Sequence, residues 1–216
     1  EAGEIKEAGE IKDVGIRLDP TEGTLAEVFA LDPTPPKVLL GLGDSGALDG
    51  PRVAIVGTRD CTHQGHDFAF ELGRDLARSG VRVVSGLALG VDGAAHAGAL
   101  EGAAAPPIGV VGRGRDVSYP RRHGSLWRAV ASRGLLLSDH PAGTAPTAWH
   151  FPARNRIIAA LADVVVVVES HAKGGSLNTV SEALVRDREV LAVPGPVQSR
   201  ASDGTNLLLR DGAGVC

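Results

Sequence analysis

The chain has 216 residues, with 22 Lys and Arg against 26 Asp and Glu, so its formal charge of −4 gives no sign of a basic nucleic-acid binder. A hydrophobic share of 43% excludes a disordered tail, while 3% aromatics and 29 glycines call for a core of Val, Leu, Ile and Ala with tight turns, an α/β composition. Two distant cysteines, Cys61 and Cys216, make neither a disulfide framework nor a metal cage, and no apolar run reaches the roughly 18 residues of a membrane span.

Residues 1–36 read as an acidic leader and Pro-rich linker, poorly ordered or the remnant of an N-terminal domain. The leader opens on the hexad Glu1–Lys6, repeated as Glu7–Lys12, and two copies are too few for a solenoid. Residues 1–32 carry nine acids against three bases, a charge of −6, which leaves +2 on the rest. The average therefore hides a slightly basic core, and local charge governs polyanion binding. Pro33, Pro35 and Pro36 mark the linker, and the core is expected over 37–216. The chain contains no Met, so it is read as a piece of a longer product.

Gly41-Leu-Gly43-Asp-Ser-Gly46 spells a dinucleotide fingerprint, but a strand follows within a few residues and leaves no room for the helix that the fingerprint needs. Short apolar runs then predict six strands, at Val53–Val56, Val81–Val84, Ile108–Val111, Leu135–Leu137, Val164–Val168 and Val190–Val193. Helix-like spacing lies between them, over Gly65–Ser79, Val91–Leu100, Leu126–Ser132, Arg154–Leu161 and Thr179–Arg186. Continuous rather than alternating apolar strands are covered on both faces, and helical crossovers make them parallel. The fold class is α/β, a doubly wound, mostly parallel, extended Rossmann-like sheet with helices on both faces.

Ligands bind such sheets at the carboxyl ends of the strands, so the loops there matter most. They are Gly57-Thr58-Arg59, Ser85-Gly86-Leu87-Ala88-Leu89-Gly90-Val91-Asp92, Gly112-Arg113-Gly114-Arg115, and Glu169 through Lys173-Gly174-Gly175-Ser176. Glycine lets backbone amides approach a phosphate, and a helix N-terminus adds unpaired N–H groups. Tight turns need glycine in any case, yet four such loops on one edge point to a phosphate or polyanion site. Lys173 stands ahead of its glycines, against the order of an ATP-binding P-loop.

Arg113, Arg115, Arg121, Arg122, Arg154 and Arg156 lie near Tyr119, Trp149 and Phe151 in sequence. Arginines that hold a backbone and rings that stack on bases are the means of gripping single strands. Asp92 and His96, four residues apart on a predicted helix, could share a face and order a loop. Asp139 and Glu169 could pair across the edge, but nothing in the sequence brings them together. No hydrolase or metal motif occurs.

Several collinear stretches resemble the DNA-processing protein A (DprA/Smf) family. They are Val53 through Arg59, Ser85 through Asp92 with Ala95-His96 and Gly98 through Leu100, Tyr119-Pro120, Phe151 through Ile158, Gly175 through Leu177 with Thr179, Val193-Pro-Gly195, Gly204-Thr-Asn206 and Gly212-Ala213. The resemblance covers roughly residues 50–213. It implies a non-catalytic, cytoplasmic, single-stranded DNA-binding protein, commonly a homodimer, that protects incoming DNA and loads the RecA recombinase during natural transformation. It implies no cofactor, metal or membrane contact.

On this resemblance the DNA site holds Gly57, Thr58, Arg59, Ser85, Gly86, Leu87, Ala88, Gly90, Asp92, His96, Arg115, Phe151, Arg154, Asn155, Arg156, Lys173, Gly174, Gly175, Ser176 and Thr179. Arg59, Arg154 and Arg156 would neutralise phosphates, the Ser176 and Thr179 hydroxyls would bond their oxygens, and Phe151 would stack a base. Gly174-Gly175-Ser176 replaces the more usual Ser-Gly-Ser. The family's winged-helix domain is expected to lie outside this chain. The rival readings are a nucleotide phosphoribohydrolase of the lysine-decarboxylase-like group, suggested by Gly174 through Glu182, and a nucleotide-sensing module.

Overall fold

Alternating valines build the centre of the sheet. Along the strand Val164–Val167, Val165 and Val167 turn to one core cluster while Val166 turns to another, with Val164 half-buried beside it, so both faces of the strand are covered. A computed structural model describes residues 15–116, 121–145 and 147–216. The hexads of the leader, together with Tyr119 and Pro120, lie outside the described residues.

In chain order the elements are β1 (Ile16–Leu18), α1 (Gly23–Phe29), β2 (Leu39–Gly43), β3 (Arg52–Val56), α2 (His63–Arg78), β4 (Arg82–Ser85), α3 (Val91–Gly102), β5 (Ile108–Val110), α4 (Gly124–Arg133), β6 (Leu135–Ser138), α5 (His150–Leu161), β7 (Val164–Val167), α6 (Ser176–Leu184), β8 (Glu189–Ala192), α7 (Asp203–Arg210) and β9 (Gly214–Val215). Among the described residues the strands form one sheet in the order β1-β2-β6-β5-β4-β3-β7-β8-β9. From β6 to β9 all neighbours run parallel, and β1 and β2 add an antiparallel edge. The expected doubly wound α/β sheet is present, and each of the six predicted strands and five predicted helices matches an observed element to within a few residues.

Helices α1, α5 and α6 cover one face through Leu25, Phe29, Ile157, Ile158, Leu161 and Val180. The other face is covered by α2 and α3, through Ala69, Ala77, Ala95 and Ala99, and by α4, through Trp127 and Val130. Helix α2 starts where the Thr62 hydroxyl accepts from the Gly65 amide at 3.0 Å, a cap of the kind that contributes about 1 kcal/mol.

Composition assigned residues 1–36 to a leader and linker, and the structure corrects this over residues 15–36. Ile16, Arg17 and Leu18 pair with Gly41, Leu40 and Leu39. Leu25 and Phe29, one helical turn apart, are buried in the core. Asp32 then joins Arg186 at the far end of α6. Asp19, Glu22 and Glu27 face water while Leu25 and Phe29 are covered, an amphipathic pattern that charge counting overlooks.

Candidate functional site

Strand β3 lies between β4 and β7, so the chain leaves its carboxyl end beside two neighbours whose connections run to opposite sides of the sheet. A crevice at such a reversal is where open α/β sheets hold ligands. Here it is a cleft of about 750 Å³. Its lining includes Gly57, Thr58, Arg59, Ala88, Asp92, Phe151, Arg154, Asn155, Gly174, Gly175, Ser176 and Thr179, all from the expected set.

The loop after β3 is pinned by Glu169. Its backbone carbonyl accepts from the Thr58 amide at 2.8 Å, and its carboxylate accepts from the Thr62 amide at 2.8 Å and the Thr62 hydroxyl at 2.6 Å. Arg59 is exposed on this anchored loop, with its guanidinium 5.1 Å from the centre of the Phe151 ring, within cation–π range. Gly90 takes φ +71°, and a Cβ there would collide with the Thr58 carbonyl, so the second loop closes on the first only with glycine at this position.

Behind that contact, the buried Asp92 accepts from the Gly86 amide at 3.1 Å. Burial pushes its carboxyl above the ordinary range, opposed by Arg154 and by the amides of Gly86 and Ala88. Ser85 is also buried, its hydroxyl donating to the Ile55 carbonyl at 2.6 Å, and Leu87 packs into the core. These residues shape the loop from beneath.

On α5, Phe151, Arg154, Asn155 and Ile158 share one helical face that lines the cleft. Arg154 is only 5% exposed and donates to the Val110 carbonyl. Burial lowers its pKa to about 10, with Asp92 pulling it up and Arg59 pushing it down. The fourth wall is the N-terminus of α6, where Gly174, Gly175 and Ser176 meet the cleft. The Ser176 hydroxyl donates to the Ser170 hydroxyl at 2.8 Å, and Ser170 is held from behind by backbone bonds to Ala201 and Gly204, each 2.7 Å. Lys173 is exposed beside this loop and is not part of the lining.

Three expected site residues point elsewhere. Arg156 donates to Asp139 at 2.7 Å and to the Thr34 carbonyl at 2.6 Å, because a residue two positions from Arg154 falls on the opposite side of the helix. Arg115 is buried beside Gly15, and its carbonyl accepts from the Trp127 indole at 3.1 Å. His96 is fully buried, with its ring nitrogens 3.1 and 3.2 Å from the carbonyls of Asp92 and Ile108, and burial lowers its pKa to about 4. It touches the Asp92 backbone rather than its carboxylate. Asp139 and Glu169 do not pair, since each is engaged with other partners.

Sequence reasoning missed His171 and Asn178, which also line the cleft. Asn178 lies within the first turn of α6, two residues after Ser176, and that position was its available signal. No group of three or more His, Cys, Asp or Glu among the described residues is arranged to hold a metal.

The model of the DNA recombination-mediator protein A family matches residues 23–216. The chain is similar to the DNA processing protein DprA of Bacillus subtilis, 42% identical over 180 residues that make up 83% of this chain and 60% of that protein. The X-ray structure of DNA processing protein A from Streptococcus pneumoniae superposes with a TM-score of 0.89 at 34% identity, covering 94% of this chain and 71% of that one. The Helicobacter pylori protein, described for its single-stranded DNA binding mode, gives a TM-score of 0.85 at 33% identity over 94% of this chain and 90% of that one. The chain spans between 46% and 62% of the length of the first curated relatives it matches. With a matching family model over nearly the whole described chain and the same fold in two solved relatives, this chain belongs to the DNA recombination-mediator protein A family.

Proposed function

We propose that the cleft binds single-stranded DNA without catalysis. The observation that carries this reading is Arg59 over the Phe151 ring at 5.1 Å, beside two glycine-rich loops and the N-terminus of α6. A base can stack on the ring while Arg59 and the loop amides hold the neighbouring phosphates, a grip that every base accepts. Within this reading Gly57, Thr58, Ala88, Asn155, Gly175, Ser176 and Thr179 contact the strand. Lys173 adds charge at the rim, and Asp92, Ser85, Gly86, Leu87 and Gly90 hold the loops in shape.

Family membership supports the wider role, in which the protein acts in the cytoplasm as a homodimer, protects incoming single strands and loads RecA onto them during natural transformation. Among the described residues no helix is long and apolar enough to cross a membrane. The non-catalytic reading rests on the cleft's own carboxylate, Asp92, which is buried and hydrogen-bonded under the loop. Glu182, the acid that a phosphoribohydrolase loop would use, is instead paired with Arg186 at 2.6 Å.

Fluorescence anisotropy with a single-stranded oligonucleotide, its duplex and a nucleoside monophosphate, repeated across salt, tests the reading. Tighter binding of the single strand, weakening steeply as salt rises, is expected. Release of free base from the monophosphate, or equal affinity for the duplex, overturns it.

A further inference from the structure

His171 lies on the connection from β7 to α6, two residues after Glu169, and it is the one histidine among the described residues that line the cleft. Its backbone carbonyl is turned inward. That oxygen accepts from the Gly174 amide at 2.9 Å and from the Ser170 hydroxyl at 3.0 Å, and a Cβ at Gly204 would stand 2.6 Å from it. The residue is nevertheless exposed, so what it offers the cleft is the imidazole.

One ring nitrogen is already committed. Nδ1 lies 3.1 Å from the Arg200 carbonyl, and a carbonyl can only accept, so Nδ1 carries the proton of the neutral ring. Nε2 is then a bare lone pair, and it has no partner among the described residues. The two nitrogens of an imidazole look out from opposite sides of the ring, so with Nδ1 turned to Arg200 the Nε2 edge faces away from it. A neutral ring held this way presents an acceptor to phosphate oxygens, which are acceptors themselves, and attracts none of them. A second proton converts the same atom into a charged donor without moving the ring.

The charged groups around it come from several elements. On its own connection are the exposed Lys173 and Glu169, whose carboxylate is occupied by the Thr62 amide and hydroxyl. Arg200, also exposed, lies on the turn before α7, and Asp203 starts that helix. The first acid of α6, Glu182, is paired with Arg186. Across the cleft are Arg59 and Arg154, with Asp92 beneath the second loop. Of these side-chain types histidine is the one that ordinarily changes charge between about pH 5 and 8, and Asp92, whose carboxyl burial pushes upward, is the competing acid.

We propose that His171 is a phosphate-binding residue of the cleft in its protonated form only, so that the grip on a single strand tightens as pH falls from about 8 to about 5.5. The inference rests on the single-strand reading above. His171 shares its wall with Gly174, Gly175 and Ser176 at the start of α6, where that reading places a phosphate. Its ring is already oriented by the Arg200 carbonyl, so the contact costs little ordering when the proton arrives.

The test follows the anisotropy of an oligodeoxythymidylate, whose base does not titrate in this range, across those pH values, with Tm recorded at each to control for the stability lost through His96. The unaltered chain is expected to bind about tenfold more tightly at the lower pH, the scale of one added charge-assisted hydrogen bond. Its slope of log K against log salt is expected to steepen by about 0.7, one phosphate's share. His171→Gln is expected to lose most of that rise, and His171→Lys, charged throughout, to bind tightly at both ends of the range. A rise in His171→Gln equal to that of the unaltered chain overturns the proposal and assigns the titration to Asp92 or another group. A loss in His171→Gln by the same factor at every pH overturns it too, since the ring would then only hold the Arg200 turn in place. Strand binding by the unaltered chain that ignores pH overturns it and leaves the cleft reading standing. Failure to bind the strand at any pH removes both.

Discussion

Asp32 and Arg186 form a two-pronged ion pair across 154 residues of chain, with Nε to Oδ2 at 2.8 Å and Nη2 to Oδ1 at 2.9 Å. Their side chains are 2% and 3% exposed, and the same guanidinium also bonds Glu182 and the Thr34 hydroxyl. Burial would lower the Arg186 pKa, but the hydrogen bonds it donates to Asp32 and Glu182 more than offset it, so the group stays charged. Removing Asp32 takes away two charge-assisted hydrogen bonds but leaves Arg186 paired with Glu182. Asp32→Ala is therefore expected to cost about 1.5–3 kcal/mol and to lower Tm by several degrees, as read by calorimetry. An unchanged Tm would show that the Asp32–Arg186 pair adds nothing to stability.

Arg59 and Arg154 line the same cleft but should fail in different ways when truncated. Arg59 is exposed and has no ion pair among the described residues, so Arg59→Ala should leave Tm unchanged. It should weaken single-strand binding and lower the slope of log K against log salt by about 0.7, one phosphate's share. Arg154 is bound to the Val110 carbonyl and faces Asp92, so Arg154→Ala should lose both stability and binding. Parallel melting and salt titrations of the two variants separate these outcomes.

Phe151→Leu keeps an apolar side chain and removes the ring. If a base stacks there, affinity falls by roughly 1–3 kcal/mol with the salt slope intact, since no charge is lost. A fall in the salt slope instead would mean that the ring matters chiefly by steering Arg59.

His96 makes stability depend on pH. Its folded pKa is about 4 against an ordinary 6.5, so between these values the unfolded chain binds the proton and the native chain does not. Stability is fully present above about pH 6.5 and is lost as pH falls toward 4, by roughly 3 kcal/mol in all. Asp92, whose pKa is raised by burial, works in the opposite sense above its ordinary value. Urea titrations between pH 7 and 4 should show the decline, and His96→Gln should flatten it. An equal slope in the variant would assign the decline to other groups.

The parallel strands were legible because burial on both faces leaves uninterrupted runs such as Val164–Val167, which few other settings tolerate. Strands β1 and β2 left no such trace. The first is three residues within an acidic stretch, and the second, Leu39–Gly43, contains the glycines that imitate a nucleotide fingerprint. Their pairing comes from tertiary contact with β6 rather than from local preference. The cleft was legible at the level of loops, because topology alone sends those loops to one edge. It was less so at the level of side chains. Arg154 and Arg156 are two residues apart on one helix and cannot face the same way, a constraint already present in the helical period. Arg115 and His96 are different, since only their distant partners decide where they point.

Glu169 and Thr62, which pin the loop that carries Arg59, are 107 residues apart, and the strands that lead into them, β7 and β3, lie side by side along one seam of the sheet. A ligand lodged across the seam is thus a clamp on the whole sheet, and by mass action a strand at a hundred times its Kd would add about 2.7 kcal/mol to global stability. Occupancy should then slow proteolysis and amide exchange in β8 and α2 as much as at the cleft itself, since the halves on either side of the seam would have to part before either could unfold.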